Sequence, residues 1–355
     1  MSGRSTRSAL SLASFAALAL ASAAGLAQTR TAPEVPRVRL VATGGTISAR
    51  GGGGSRLSAE EILQLAPGVG RYAQAEAEQF ANVASTALTL DQWIRLAGRL
   101  NELFDRDAGL AGAVVTCGTD SLEELAYFLH LTVRSSRPVV VVGAMRSAGT
   151  PGYEGGANVL DGFRVAAQPE SRGRGVLVVF NDEIHSAREV TKTDALRLQT
   201  FQSGSYGLMG VVDPDRVVFF RDPLKRHTVT SEFDLTGVSA LPRVDILLFY
   251  QGAPDDLVRA AVDNGARGLV IAMAGADVTG GSLAPGIGYA IRKGIPVVAA
   301  TRTGSGRIAP ASASRLGEGL VAAEDLVPLK ARVLLMLALT KTRSASEIQR
   351  MFTEY

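Results

Sequence analysis

VATGGTIS, residues 41–48, ends an apolar run that begins at 37 and places two glycines between two threonines. An apolar run of strand length that stops on a glycine pair reads as the carboxyl end of a buried β-strand turning into a loop, where glycine permits φ > 0 and close approach by a ligand. In an open α/β sheet, ligands bind at the carboxyl ends of the strands. The hydroxyls of Thr43 and Thr46 are the reactive side-chain groups this loop offers. The bland alternative is a strand-to-loop turn punctuated by Gly and Thr, which is common.

Residues 112–129, GAVVTCGTDSLEELAYFL, repeat the pattern: an apolar strand over 113–116, a turn at Gly118, and Thr119-Asp120 opening a helix with Glu123 and Glu124 in its first turn. Helix capping accounts for one hydroxyl or carboxylate at such a place. Two hydroxyl-bearing strand ends point instead to one functional edge of one sheet.

Strand-length apolar runs recur at 37–43, 112–116, 138–143, 175–180, 245–250, 267–273 and 296–300. Helix-period segments lie at 89–105, 120–133, 155–167, 255–264, 282–293, 328–341 and 344–353. Strands alternating with helices predict an α/β protein built on parallel sheets with both faces covered. Residues 223–243 lack this rhythm and read as a linker, dividing the chain into a larger domain at 37–222 and a smaller one at 244–355. Two domains also suit the length.

The chain starts with Arg4 and Arg7, continues through an alanine-rich apolar run from Ala9 to Ala24, and has small residues before Gln28. This predicts a signal peptide over 1–27, export to the periplasm or beyond, and a mature protein without a membrane segment. The one cysteine, Cys117, has no intrachain disulfide partner; a core of this size stands without one. Lys plus Arg number 37 against 34 Asp plus Glu, and no basic tract is interleaved with aromatics, which argues against nucleic acid as a partner.

TGGTI at 43–47, TCGTD at 116–120 followed by EELAYFL, VVVVGAMR at 139–146 and REVTKTDA at 188–195 together resemble the bacterial L-asparaginase family (type II asparaginase/glutaminase). The likeness runs through KARVLLMLALTKT near the C-terminus, and VTKT with GTD is its most specific part. It implies a flavodoxin-like N-terminal domain with a smaller C-terminal α/β domain. It further implies hydrolysis of L-asparagine, with L-glutamine as a side substrate, by a threonine nucleophile and without metal or organic cofactor. By resemblance, Thr46 attacks the side-chain amide, and Thr119, Asp120 and Lys192 form the second catalytic group. Asp120 also meets the substrate α-amino group, and Ser85 its α-carboxylate. Backbone N–H groups around Gly45 and Gly118 are candidate oxyanion donors. The resemblance also implies a homotetramer of two intimate pairs, in which 274–283 and 317–320 are the places to look for residues completing a neighbour's site.

Amide hydrolysis by a threonine needs a proton acceptor or a charge that stabilises the alkoxide. Of the three histidines, His130 is expected on solvent or against its own helix, His227 in the linker, and His185 in a structural or surface role. Lys192 is the remaining candidate, since a desolvated lysine near another cation or an apolar wall can lose its proton; otherwise it is an ordinary surface lysine.

Three departures from the family pattern stand out. Residues 48–57, SARGGGGSRL, carry no tyrosine, whereas the family's mobile loop has one that helps activate the first threonine; Tyr72 lies further along. Cys117 occupies the histidine place of THGTD, as a small residue rather than a nucleophile, because nothing basic adjoins it. Thr86 follows Ser85 where an amide is common. The glycines at 51–54 suggest a lid, with a merely slack loop as the alternative. Two competing readings are an amidase subunit of a tRNA-dependent amidotransferase, which the export signal opposes, and a periplasmic amino-acid-binding protein with a vestigial site. The absent loop tyrosine favours the latter; the intact Thr119, Asp120 and Lys192 set opposes it.

Overall fold

The structure is a computed structural model that describes residues 35–51, 55–276, 281–310 and 319–355. The signal-peptide segment, most of the glycine run at 51–54, and parts of 274–283 and 317–320 lie outside the described residues.

Strands β1 (Arg37–Gly44), β2 (Gln74–Val83), β3 (Leu110–Thr116), β4 (Val139–Val142) and β5 (Val176–Phe180) pair in parallel in the spatial order β2-β1-β3-β4-β5. This is the flavodoxin-like order, and its switch point lies between β1 and β3. Helices α1 (Ala59–Gln64), α2 (Leu90–Arg106), α3 (Leu122–Thr132) and α4 (Gly155–Ala167) cover the two faces. Side chains of β1 and β3 alternate between them: Val41, Ala113 and Val115 join one apolar cluster with α2 and α3, while Val38, Leu40, Ala42 and Val114 join another with α1 and α4. Burial on both faces is why β3 and the second half of β1 read as continuous small and apolar runs, whereas Arg37 and Arg39 alternate with apolar residues at the partly buried start of β1.

The sheet is mixed beyond β5. Asn181 and Asp182, at φ 50° and 64°, make a two-residue hairpin turn into β6 (Glu183–Ser186), which runs antiparallel to β5. The hairpin β7 (Thr191–Lys192) and β8 (Phe201–Gln202) follows. Then β9 (Gly210–Val212) and β10 (Val217–Phe219) extend the large sheet in antiparallel sense. Positive φ at both central positions matches the right-handed twist of a hairpin.

The C-terminal sheet is all parallel: β11 (Val244–Leu248), β12 (Gly268–Met273), β13 (Val297–Thr301) and β14 (Leu320–Ala322), in that order. Helices α5 (Asp256–Asp263) and α6 (Ala284–Arg292) cover one face; α7 (Pro328–Ala338) and α8 (Ala345–Glu354) cover the other. Helix α7 also packs on α3, so one apolar cluster runs from the N-terminal sheet through both helices into the C-terminal sheet. The segment expected as a linker is not a loose tether. Phe233 is buried in this shared cluster against Tyr355, ring centroids 5.0 Å apart.

One buried carboxyl makes stability depend on pH. Asp161 on α4 is 5% exposed; burial, then the neighbouring Asp182 carboxyl, raise it to about 7, with Arg164 opposing. The folded protein therefore holds a proton that the unfolded chain releases near its ordinary value, so this group's stabilisation is lost as pH rises through about 7. Asp161→Asn is expected to remove that loss, so that the substitution is more favourable to stability at pH 8 than at pH 4. Denaturant unfolding at both pH values measures it.

Candidate active site

The loops after β1 and β3 meet backbone to backbone. Gly44 and Gly45 have φ of +109° and +90°; a Cβ on Gly44 would sit 2.3 Å from the Val83 carbonyl oxygen, and one on Gly45 would sit 2.3 Å from Gly118 Cα. The glycine pair is thus required by both conformation and space, as the sequence suggested. Gly45→Ala is expected to force the loops apart and cut activity by at least about 10²-fold. Gly68→Ala, also at positive φ but with open space around it, is expected to cost about 1–2 kcal/mol of backbone strain and leave activity intact. Activity and Tm of the two variants make the comparison.

Thr43 turns out to be structural: its hydroxyl donates to the Thr116 carbonyl at 2.7 Å, and its N–H meets the Thr116 hydroxyl at 3.3 Å, tying β1 to β3. Thr46 opens a short 3-10 turn, Thr46–Ser48, and is partly exposed. Its hydroxyl enters no hydrogen bond among the described residues. Ser85, 8% exposed at the turn that follows β2, packs beneath Gly118, where a Cβ would come within 2.8 Å of its hydroxyl oxygen.

Thr119 and Asp120 do not cap a helix. Helix α3 has Ser121 at its N-cap position, with no side-chain capping bond. Instead, Lys192 Nζ donates to Thr119 Oγ1 at 3.0 Å and to Asp120 Oδ1 at 2.7 Å. Thr119 is 5% exposed, whereas the Asp120 side chain is 67% exposed and open to a ligand. Lys192 is delivered by the β7–β8 hairpin, where it pairs with Phe201, itself buried against Phe180 with ring centroids 4.5 Å apart.

The hairpin's entry is held from the C-terminal sheet. Arg188 makes two 2.7 Å bonds to the Asp325 carboxylate and donates to the Tyr355 carbonyl at 2.9 Å. Lys330 on α7, 1% exposed, donates to the carbonyls of Arg188, at 2.8 Å, and Val190. Burial lowers the Lys330 ammonium to about 8. The sequence reading missed these residues, although a lysine inside the apolar PLKARVLL was a visible signal.

Gly45 needs a correction as an oxyanion donor. Its N–H already donates to the Val83 carbonyl at 2.8 Å, so it is committed to the β1–β2 junction. The N–H groups of Gly118 and Thr119 enter no hydrogen bond among the described residues.

No histidine reaches the site. His130 is not on solvent: it is 1% exposed, accepts from the Val176 N–H at 3.1 Å, and lies 5.0 Å from the His227 ring. Burial holds it well below its ordinary value. His227 is also buried, its Nδ1 2.8 Å from the Thr228 hydroxyl. His185 pairs with the Ser203 hydroxyl at 2.9 Å, and burial lowers it to about 4. Cys117 is fully buried, and burial pushes its thiol up to about 12, which leaves it inert. The Tyr72 ring packs against the Arg164 guanidinium.

The arrangement defines a class: an α/β protein with a threonine on the loop after β1 and a Thr–Asp–Lys group beside it, at the switch point of the sheet. Residues 37–225 match the family described as Asparaginase, N-terminal, and 243–352 match the Glutaminase/Asparaginase C-terminal domain. L-asparaginase 2 of Bacillus subtilis (strain 168) is 40% identical over 91% of this chain and 87% of its own length. The glutaminase-asparaginase of Pseudomonas fluorescens biotype A is 34% identical over 94% of each chain. The crystal structure of a probable cytoplasmic L-asparaginase from Campylobacter jejuni superposes with a TM-score of 0.85 at 36% identity, covering 90% of this chain and all of that one. The chain belongs to the asparaginase/glutaminase family.

Proposed function

We propose that this protein hydrolyses L-asparagine to L-aspartate and ammonia, with a side activity on L-glutamine. The observation that carries the reading is the Lys192 ammonium bonded to Thr119 and Asp120 beside the loop that presents an uncommitted Thr46 hydroxyl. In the proposed route, Thr46 Oγ1 attacks the side-chain amide carbon, and its proton passes to the departing nitrogen, which leaves as ammonia. Water then cleaves the β-aspartyl ester, regenerating the threonine. Thr119, Asp120 and Lys192 make up the second catalytic group, and the exposed Asp120 carboxylate meets the substrate's α-ammonium group. The N–H groups of Gly118 and Thr119, unengaged among the described residues, are suited to the oxyanion, and Ser85 to the α-carboxylate.

The same reading includes the division into domains at 37–222 and 244–355, with 223–243 between. It also includes a tetramer of intimate pairs and export to the periplasm or beyond by the leader over 1–27. Relatives are described both as periplasmic and as cytoplasmic, and the leader is what favours export here. Ammonia release from L-asparagine and, separately, L-glutamine tests the function. Binding of either amino acid without ammonia release would favour the amino-acid-binding alternative.

A further inference from the structure

The Thr46–Ser48 turn lies between two glycine runs, Gly44-Gly45 before it and Gly51–Gly54 after it. The glycine pair at its entry gives the backbone there little intrinsic stiffness. Yet the carbonyls around Thr46 are all engaged. The Gly45 oxygen accepts from the Ser48 N–H at 3.2 Å and the Ser48 hydroxyl at 3.0 Å; the Thr46 oxygen accepts from the Ala49 N–H at 3.0 Å.

Two further donors come from outside the turn. Arg56 Nη1 donates to the Gly45 oxygen at 2.7 Å and lies 3.5 Å from the Ser48 hydroxyl. The Tyr153 hydroxyl, from the loop before α4, donates to the Ile47 oxygen at 2.9 Å. Arg56 thus holds the peptide that enters Thr46, and Tyr153, from a different segment, holds the peptide between Ile47 and Ser48, one residue beyond it.

The Tyr153 loop is built to reach across. Ala148 N–H donates to the Ala49 carbonyl at 2.8 Å, and Gly51 N–H donates to the Ala148 carbonyl at 3.0 Å, so the two loops run paired. Gly155 leaves room for the tyrosine to fold back: a Cβ there would lie 2.3 Å from the Tyr153 hydroxyl. The Glu154 carboxylate accepts the Met145 and Arg146 N–H groups and fixes the base of the loop. Burial, then Glu154, push the Tyr153 hydroxyl up to about 12, so it remains a donor throughout the neutral range.

We infer that Tyr153 and Arg56 are positioning residues for the reaction, clamping the turn at the peptide before Thr46 and at the peptide after Ile47 so that the Thr46 hydroxyl is held in attacking geometry. The inference rests on the reading of Thr46 as nucleophile. Displacing a reacting atom by about 1 Å can cost about 10²-fold in rate, so removing one of two clamps is expected to cost about 10-fold.

The test measures kcat and KM for ammonia release from L-asparagine, together with Tm, for the full chain, Tyr153→Phe, Arg56→Met and Arg56→Lys, with Thr46→Ala in parallel. Tyr153→Phe keeps the ring and its packing, so the test does not depend on the arginine variants folding. Expected are kcat values about 10-fold lower in Tyr153→Phe and Arg56→Met with KM within about 2-fold, and partial recovery in Arg56→Lys. Unchanged kcat in Tyr153→Phe and Arg56→Met, or a lower Tm with kcat per folded molecule intact, overturns the inference. Turnover surviving in Thr46→Ala instead overturns the nucleophile reading beneath it. An inactive Thr46→Ala beside a fully active Tyr153→Phe and Arg56→Met sinks the positioning role alone.

Discussion

Thr46→Ala is expected to reduce ammonia release from L-asparagine by about 10⁴-fold or more, because it removes the atom that forms the acyl bond. The substitution leaves the rest of the site in place. Thr46 is partly exposed, its hydroxyl makes no hydrogen bond among the described residues, and its carbonyl continues to accept the Ala49 N–H. The folded state therefore loses little, and Tm should move by no more than about 2 °C. Substrate binding should survive, since the groups assigned to the α-ammonium and α-carboxylate, Asp120 and Ser85, lie on other loops. Calorimetric titration with L-asparagine beside the activity assay separates the two effects. Full turnover in this variant would contradict the assignment.

Lys192→Met is expected to lower kcat by about 10²- to 10⁴-fold, the range typical of a proton-transfer group. Its ammonium is the hydrogen-bond partner of the buried Thr119 hydroxyl, so the second hydroxyl of the site loses its orientation as well as its neighbour's charge. Stability should change by only about 1 kcal/mol, because the Asp120 side of the pair is largely exposed and such pairs contribute little. Turnover kinetics and thermal unfolding of the same preparation are the measurement. An unchanged kcat would return Lys192 to an ordinary surface lysine.

The parts of the fold that were legible in the sequence are the strands buried on both faces and the helices with a periodic apolar face. Strands β1, β3, β4 and β5 and all helices from α2 onward fall close to where apolar runs and helix periods put them, since dense burial requires a dense apolar code. Strand β2, QAEAEQFANV, escaped because it is an edge strand, half exposed along its length, with charged and polar residues throughout. The short antiparallel strands β6, β9 and β10 escaped for another reason. Their placement depends on the Asn181-Asp182 turn and on pairing over distance rather than on a run of their own.

The site divides in the same way. Thr119, Asp120 and Lys192 were legible through family motifs, and the structure brings the three together. What no motif carried is the support behind them: Lys330 on the carbonyls of the Lys192 segment, and Arg56 and Tyr153 on the carbonyls around Thr46. Side chains that act on backbone oxygens need only a donor of the right reach, so their identity leaves a weak local signature. Gly45 shows the converse. Its place in the motif suggested an oxyanion donor, but only the coordinates reveal that its N–H is spent on Val83.

In the proposed reaction Thr46 carries the acyl group. The direct measurement is an acid quench of the mature protein within its first turnover of L-asparagine, followed by peptide mass mapping. A β-aspartyl ester is expected on the peptide containing Thr46, absent from Thr46→Ala. An ester found on the peptide carrying Thr119 instead, with Thr46 unmodified, would contradict it.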